Sequence, residues 1–184
     1  MTVFQLIQSD YKKYKKYGGH FFSILFFTQG FWAIFQYRIA HAIYVGIRIP
    51  VLRQLLLLSC LFWQKFIEMI TGISIPASAK IGSSFYIGHF GGIILNGSST
   101  IGSNCNISHG VTIGVSGVEN NRGVPVIGDK VYIGANSIVA GRITIGNNVL
   151  IGACSLVTTN VESNSVMLGV PAKIISDKGS EGYI

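Results

Sequence analysis

From residue 81 onward the apolar positions recur every six residues. With Ile or Val as the first position, the frame runs Ile81, Ile87, Ile93; Ile101, Ile107, Ile113; Ile127, Ile133, Val139; and Ile145, Ile151, Val157. Glycine follows directly at 82, 88, 102, 114, 128, 134, 146 and 152. Two residues before many first positions lies a small or aliphatic residue, such as Ala79, Cys105, Val111, Val131, Ser137 or Ser155. A short fixed period of this kind marks a solenoid, whose units must stack because none buries its apolar face alone. Each hexapeptide is then one short strand and a corner, with Gly supplying corner dihedrals that other residues resist. Three hexapeptides make a triangular coil, and coils stack at the strand spacing of about 4.8 Å. In this frame two residues are inserted between Ile93 and Ile101, and eight between Ile113 and Ile127. The longer insertion predicts a protruding loop around Ser116 to Val124. The expected fold class is mainly β: a parallel β-helix over residues 73–175, preceded by an N-terminal α-helical segment over 1–72 and followed by a tail over 176–184.

The pattern before residue 73 is different. Tyr11-Lys-Lys-Tyr-Lys-Lys-Tyr17 is a basic run with regularly spaced tyrosines, and Gly18 to Tyr37 contains no Lys, Arg, Asp or Glu. Arg38, His41, Arg48 and Arg53 then punctuate apolar sequence that ends in Leu55–Leu58 and Phe62-Trp63. About 20 uncharged residues just reach across a bilayer, but His20, Thr28, Gln29, Gly30 and Gln36 interrupt the run. The spacing favours amphipathic helices, packed on a trimer or lying at a membrane interface.

Charge sharpens this division. The formal net charge is +7, yet residues 1–73 carry eight Lys/Arg against two acids while the remainder carries six against five. A basic, aromatic-rich segment suits either an anionic surface or a solvated helix end. Charged residues make up only 11% of the chain and the mean hydropathy is +0.50, which excludes a disordered polypeptide. The three cysteines, Cys60, Cys105 and Cys154, are odd in number and unpaired in spacing. This argues against a disulfide framework and a thiolate zinc site. A reducing cytoplasm is expected, with no signal-peptide pattern, and the inner face of the cytoplasmic membrane is the surface the basic segment would meet. No GxxxxGK[ST] loop or dinucleotide fingerprint occurs, and nucleic-acid binding has nothing beyond charge to support it.

The register places candidate chemistry. Taking three hexapeptides per coil, Ile87, Ile107, Ile133 and Ile151 share one face, and two residues after each come His89, His109, Ala135 and Ala153. Two imidazoles are thus expected one above the other at a single corner, continued by a strip without side-chain bulk. A long thin ligand lying along the solenoid needs such a strip. Histidine is the usual general base near neutral pH. No carboxylate or thiolate spacing supports a metal at the pair, and His20 and His41 are read as structural. Arg122 on the inserted loop is either a solvated residue or a partner for an anionic group of donor or acceptor. Lys173 either reaches a phosphate at the far end of the column or caps the last coil.

The segments Ile87-Gly-His-Phe-Gly-Gly, Ile107-Ser-His-Gly-Val-Thr-Ile-Gly114, Asn121-Arg-Gly-Val-Pro-Val-Ile-Gly128 and Gly169-Val-Pro-Ala-Lys173 resemble the serine acetyltransferase-like branch of the hexapeptide-repeat acyltransferases. The resemblance implies a left-handed β-helix, a homotrimer, acetyl-CoA lying along the solenoid, and direct acetyl transfer with a histidine base. His89 matches the main catalytic histidine of serine acetyltransferases and Ala135 a CoA-contacting small residue; Gly114, Gly134 and Lys173 are further carry-overs to the CoA site. The pattern departs at five places: the large helical N-terminal domain of those enzymes is replaced by a shorter, more apolar segment, His109 stands where they usually have no histidine, and three single positions differ. Ser74 stands where those enzymes carry the Asp that orients the histidine, Gly88 replaces an acidic residue, and Val124 precedes Pro125 where they have an Arg-His-Pro motif.

These departures shift the expectation toward the polysaccharide O-acetyltransferases. The expected activity is acetyl-CoA-dependent transfer to a sugar hydroxyl of a surface polysaccharide or its precursor. His89 and His109 are the catalytic pair, Gly114, Gly134, Ala135, Ala153 and Lys173 hold acetyl-CoA, and Arg122 meets the acceptor. A backbone amide near Gly110 to Gly114 would stabilise the thioester oxyanion. The expected partners are two further copies of the chain, a glycan or small-molecule acceptor, and a membrane surface touched by residues 1–72. The alternatives are serine O-acetylation in cysteine biosynthesis and a non-catalytic β-helix scaffold.

Overall fold

The computed structural model describes residues 1–184, the side chain of Asn120 excepted. Four helices come first: α1 (Val3–Lys16), α2 (Phe21–Phe27), α3 (Gln29–Gly46) and α4 (Pro50–Thr71). Local sequence explains their ends. Thr2 and Gln5 form a capping box at the start of α1, and Lys13, Lys15 and Lys16 occupy its last turn, where the helix dipole favours cations. Pro50 opens α4 at a position where its missing N–H costs nothing, and Gly72, at φ +66°, closes it. Helix α3 is the central one, burying Phe31, Ala33, Ile34, Tyr37, Arg38 and Ala40.

A left-handed β-helix of hexapeptide repeats follows, with strands in three sheets. One sheet stacks Ile73–Ser74, Ile93–Leu95, Thr112–Gly114, Ile138–Ala140 and Leu156–Val157. The second stacks Lys80–Ile81, Thr100–Ile101, Val126–Ile127 and Thr144–Ile145. The third runs Tyr86–Ile87, Asn106–Ile107, Tyr132–Ile133, Leu150–Ile151 and Val166–Gly169, closed by an antiparallel strand, Ala172–Ser176. The inward column Ile87, Ile107, Ile133 and Ile151 is fully buried and pairs in register.

The frame itself needs one correction. Ile94 pairs with Thr112 and Leu95 with Ile113, so Leu95, and not Ile93, is the equivalent of Ile113. From Leu95 the six-residue step to Ile101 is intact. The two extra residues therefore lie between Ile87 and Leu95, in the corner that carries His89. Gly91 at φ +101° and Gly92 at φ +66° let the chain take this wider turn. Ile93 and Leu95 are both apolar and both buried, so a one-dimensional frame cannot tell them apart.

The helices pack on the open end of the solenoid. The Tyr14 hydroxyl donates to Ile87 O at 2.9 Å and accepts from Ile87 N at 3.2 Å. Tyr37 bridges Ala79 O and Ile81 N in the same way. Asp10 and Arg38, both essentially inaccessible, pair at 2.8 Å, and Arg38 also donates to Ile81 O and Gly82 O. An edge strand left bare would recruit other chains, and here helices cover it. His41 Nδ1 donates to Ala77 O at 2.8 Å. No helix among the described residues is long and apolar enough to cross a membrane. Many apolar residues of the helical segment nonetheless face outward, among them Phe22, Phe27, Leu55 and Phe62. The tail returns along the solenoid, with Ser180 Oγ donating to Lys130 O and the Tyr183 ring 5.1 Å from that of Tyr132.

Candidate functional site

His89 follows the strand Tyr86–Ile87, and His109 follows Asn106–Ile107, which pairs with it in register. Both imidazoles are exposed, with ring centroids 6.0 Å apart and planes crossing at 78°. The turns beneath them are bonded together. Gly110 N donates to Gly91 O at 2.9 Å, Asn136 N to His109 O at 2.9 Å, and Cys154 N to Ala135 O at 2.8 Å. Ala135, half-buried, and Ala153, exposed, continue the same corner on the next two coils. Gly134 is buried beside them, and a Cβ there would lie 2.6 Å from Ala153 N. The coils thus approach closely because the position is glycine.

The remaining candidates lie elsewhere. Gly114 ends the strand Thr112–Gly114 and pairs with Ala140, at the next corner of the triangle. Arg122 is exposed on the inserted loop leading from that corner, a loop pinned at its base by paired hydrogen bonds between Ser116 and Gly123. Lys173 is exposed in the closing strand, opposite Leu168, at the far end of the third sheet. Of the amides near Gly110 to Gly114, Gly110 N is spent on Gly91 O and Thr112 N on Ser137 O. Among the described residues no group of three or more His, Cys, Asp or Glu could hold a metal ion.

One residue escaped sequence reasoning. Ser74 Oγ donates to Glu68 Oε1 at 2.7 Å, and Gln64 and Lys65 also bond to that carboxylate. Burial alone would raise the Glu68 pKa, but the hydrogen bonds from Lys65, Ser74 and Gln64 outweigh it and hold the carboxyl below its usual range. The end of α4 is tied to the histidine corner, since Gly91 N donates to Thr71 O at 2.8 Å. Glu68 is the lone acid between Asp10 and Glu119, and that isolation was the available signal.

Comparison with known proteins settles the lineage. Residues 125–159 match the family described as bacterial transferase hexapeptide (six repeats). The serine acetyltransferase of Staphylococcus epidermidis is 38% identical over 150 residues, covering 82% of this chain and 67% of its own length. The chain belongs to the serine acetyltransferase family. The crystal structure of the Neisseria gonorrhoeae serine acetyltransferase superposes with a TM-score of 0.81 at 32% identity, over 95% of this chain and 65% of that one. A serine acetyltransferase in complex with CoA gives a TM-score of 0.80 at 27% identity, over 95% of this chain and 70% of that one. The chain spans about two thirds of the length of these relatives.

The expectation of a sugar acceptor is thereby corrected. Ser74, Gly88 and Val124 had pointed to polysaccharide O-acetylation, but similarity to serine acetyltransferases extends through 82% of the chain despite those departures.

Proposed function

We propose that this chain transfers the acetyl group of acetyl-CoA to the side-chain hydroxyl of serine, with His89 as general base. The observation that carries the reading is the pairing of His89 and His109 on adjacent turns of one corner, with the His89 turn two residues longer, in a member of this family. His89 takes the serine hydroxyl proton as the oxygen attacks the thioester carbon. The C–S bond breaks, and the proton passes to the departing CoA sulfur. His109, in edge contact with His89, orients it or shares the proton. The low-bulk strip of Gly134, Ala135 and Ala153 accommodates the pantetheine chain, with Lys173 toward its far end and Gly114 and Arg122 at the neighbouring corner. The solved CoA complex of a relative supports the donor.

The unit is read as a homotrimer. In its support, Ile94 and Ile138 stand outward on the first sheet, 55% and 43% exposed, as an apolar face that a neighbouring subunit would cover. Sedimentation equilibrium giving a monomer mass would overturn this. Residues 1–72 are read as touching an anionic bilayer peripherally, on their basic charge and outward aromatics, and failure to co-sediment with anionic vesicles would remove that part.

The test of the function is CoA release from acetyl-CoA in the presence of L-serine. His89→Ala is expected to lower kcat by about 10²–10⁴-fold, the usual worth of a positioned general base. Unchanged turnover in His89→Ala and His109→Ala alike, or no stimulation by serine, would overturn it.

A further inference from the structure

Where the last turns of α1 meet the solenoid, Lys12, Lys13 and Lys16 line a cavity of about 260 Å³ together with Ser9, Ser84 and Asn104. Lys13 is only 5% exposed. Its Nζ donates to Asn104 Oδ1 at 2.7 Å, but no carboxylate lies within ion-pair distance of it among the described residues. The nearby Asp10 is committed, its two oxygens accepting from Arg38 and from Phe85 N. Burying an ammonium without a counter-charge is costly. Burial, with Lys16 adding to it, pushes the Lys13 pKa down to about 8, against opposing contributions from Cys105 and Asp10. The cavity thus combines three like charges with two hydroxyls and an amide. Ser9 Oγ accepts from Ser84 N at 3.0 Å and donates to Leu6 O at 2.7 Å, so it joins helix and solenoid corner while the Ser84 hydroxyl remains to donate.

We propose that Lys12, Lys13 and Lys16, with Ser9, Ser84 and Asn104, form a binding site for a phosphate-class oxyanion, distinct from the acetyl-transfer site. A phosphate supplies the missing counter-charge and several acceptor oxygens, matching the lysine donors and the Ser84 hydroxyl. The chemistry is shared by a soluble phosphate and by the phosphate of an anionic lipid headgroup.

The full chain is titrated with inorganic phosphate by isothermal calorimetry, against sodium chloride at equal ionic strength. In a second arm it is co-sedimented with phosphatidylcholine vesicles with and without phosphatidylglycerol. The variants are K12Q/K16Q, which removes two exposed lining charges, and K15Q, which removes an equivalent charge on the same helix outside the cavity. K12Q/K16Q is expected to weaken binding at least about tenfold, from the loss of charge-assisted bonds, while K15Q stays near wild type. Binding in the phosphate arm identifies a soluble ligand. Binding in the vesicle arm alone, with the same ranking of variants, identifies a headgroup. Phosphate no better than chloride together with no vesicle capture overturns the site, and so do equal losses in K15Q and K12Q/K16Q. Serine acetylation is a separate readout, so either reading can fail alone.

Discussion

Replacing Asp10 by alanine should unfasten the helical segment from the coil that carries His89. In the native chain Arg38 Nε donates to Asp10 Oδ2 at 2.8 Å and its terminal nitrogen to Oδ1 at 3.1 Å, while Phe85 N donates to Oδ1 at 2.8 Å. Side-chain exposure is 1% for Arg38 and 0% for Asp10, so water cannot replace the carboxylate. Breaking a buried pair from one side leaves an uncompensated charge and costs about 3–5 kcal/mol. The orphaned Phe85 amide adds about 1–3 kcal/mol more. Against a typical domain stability of about 5–15 kcal/mol, the expected loss of at least 4 kcal/mol is a large share. Urea denaturation followed by far-UV circular dichroism measures it. The double variant Asp10→Leu/Arg38→Met should recover part of the loss, because it removes both charges together. The defect should also reach catalysis, since Tyr14 on the same helix holds both polar groups of Ile87, two residues before His89. A cost under about 1 kcal/mol, the range of an exposed ion pair, would refute the assignment of this pair as the clamp.

Gly134→Ala places a Cβ 2.6 Å from Ala153 N and 2.9 Å from Ile151 O, both backbone, so the coils must separate. Overpacking of this kind costs about 1–3 kcal/mol, and calorimetry should show the lowered Tm. On the proposed path for acetyl-CoA its KM should rise while the KM for serine holds. Lys13 gives a pH signature. Its pKa is about 8 when folded against an ordinary 10.5, so above pH 8 the unfolded chain holds more protons and stability rises with pH. Cys105, pushed by burial to about 11 from 9.0, acts oppositely above pH 9. Between pH 8 and 9 the urea midpoint of wild type should therefore climb relative to Lys13→Met, and parallel profiles would contradict the assignment.

The solenoid was legible because its signal repeats. Twelve Ile or Val positions each report the same inward direction, and the register they set placed His89 over His109 without any long-range information. Where the signal was used once it failed. Ile93 and Leu95 are both apolar, and only pairing with Thr112 and Ile113 shows which one faces the partner. The helical segment gave its element type but not its docking. Asp10, Tyr14, Tyr37 and Arg38 act through contacts with residues 42 to 75 positions away, and nothing in their local spacing marks that role. The acceptor is not legible at single positions for a related reason. Ser74, Gly88 and Val124 are departures at single positions, and the likeness to serine acetyltransferases over 82% of the chain outweighs them.

Glu68 is an acid that a neighbouring helix brings to Ser74. Its carboxylate comes from the last turn of α4, meets Ser74 on the first strand, and is held ionised by Lys65, Gln64 and Ser74. That turn is bonded to Gly91, inside the widened corner. The helical segment therefore reaches the His89 loop from two sides: Tyr14 fixes the strand entering it, and Thr71 fixes the glycine pair leaving it. A corner lengthened by two residues and built on Gly91 and Gly92 would otherwise be looser than the six-residue corners stacked beside it. Bracing both of its ends is what allows a longer turn to present a histidine in a defined position.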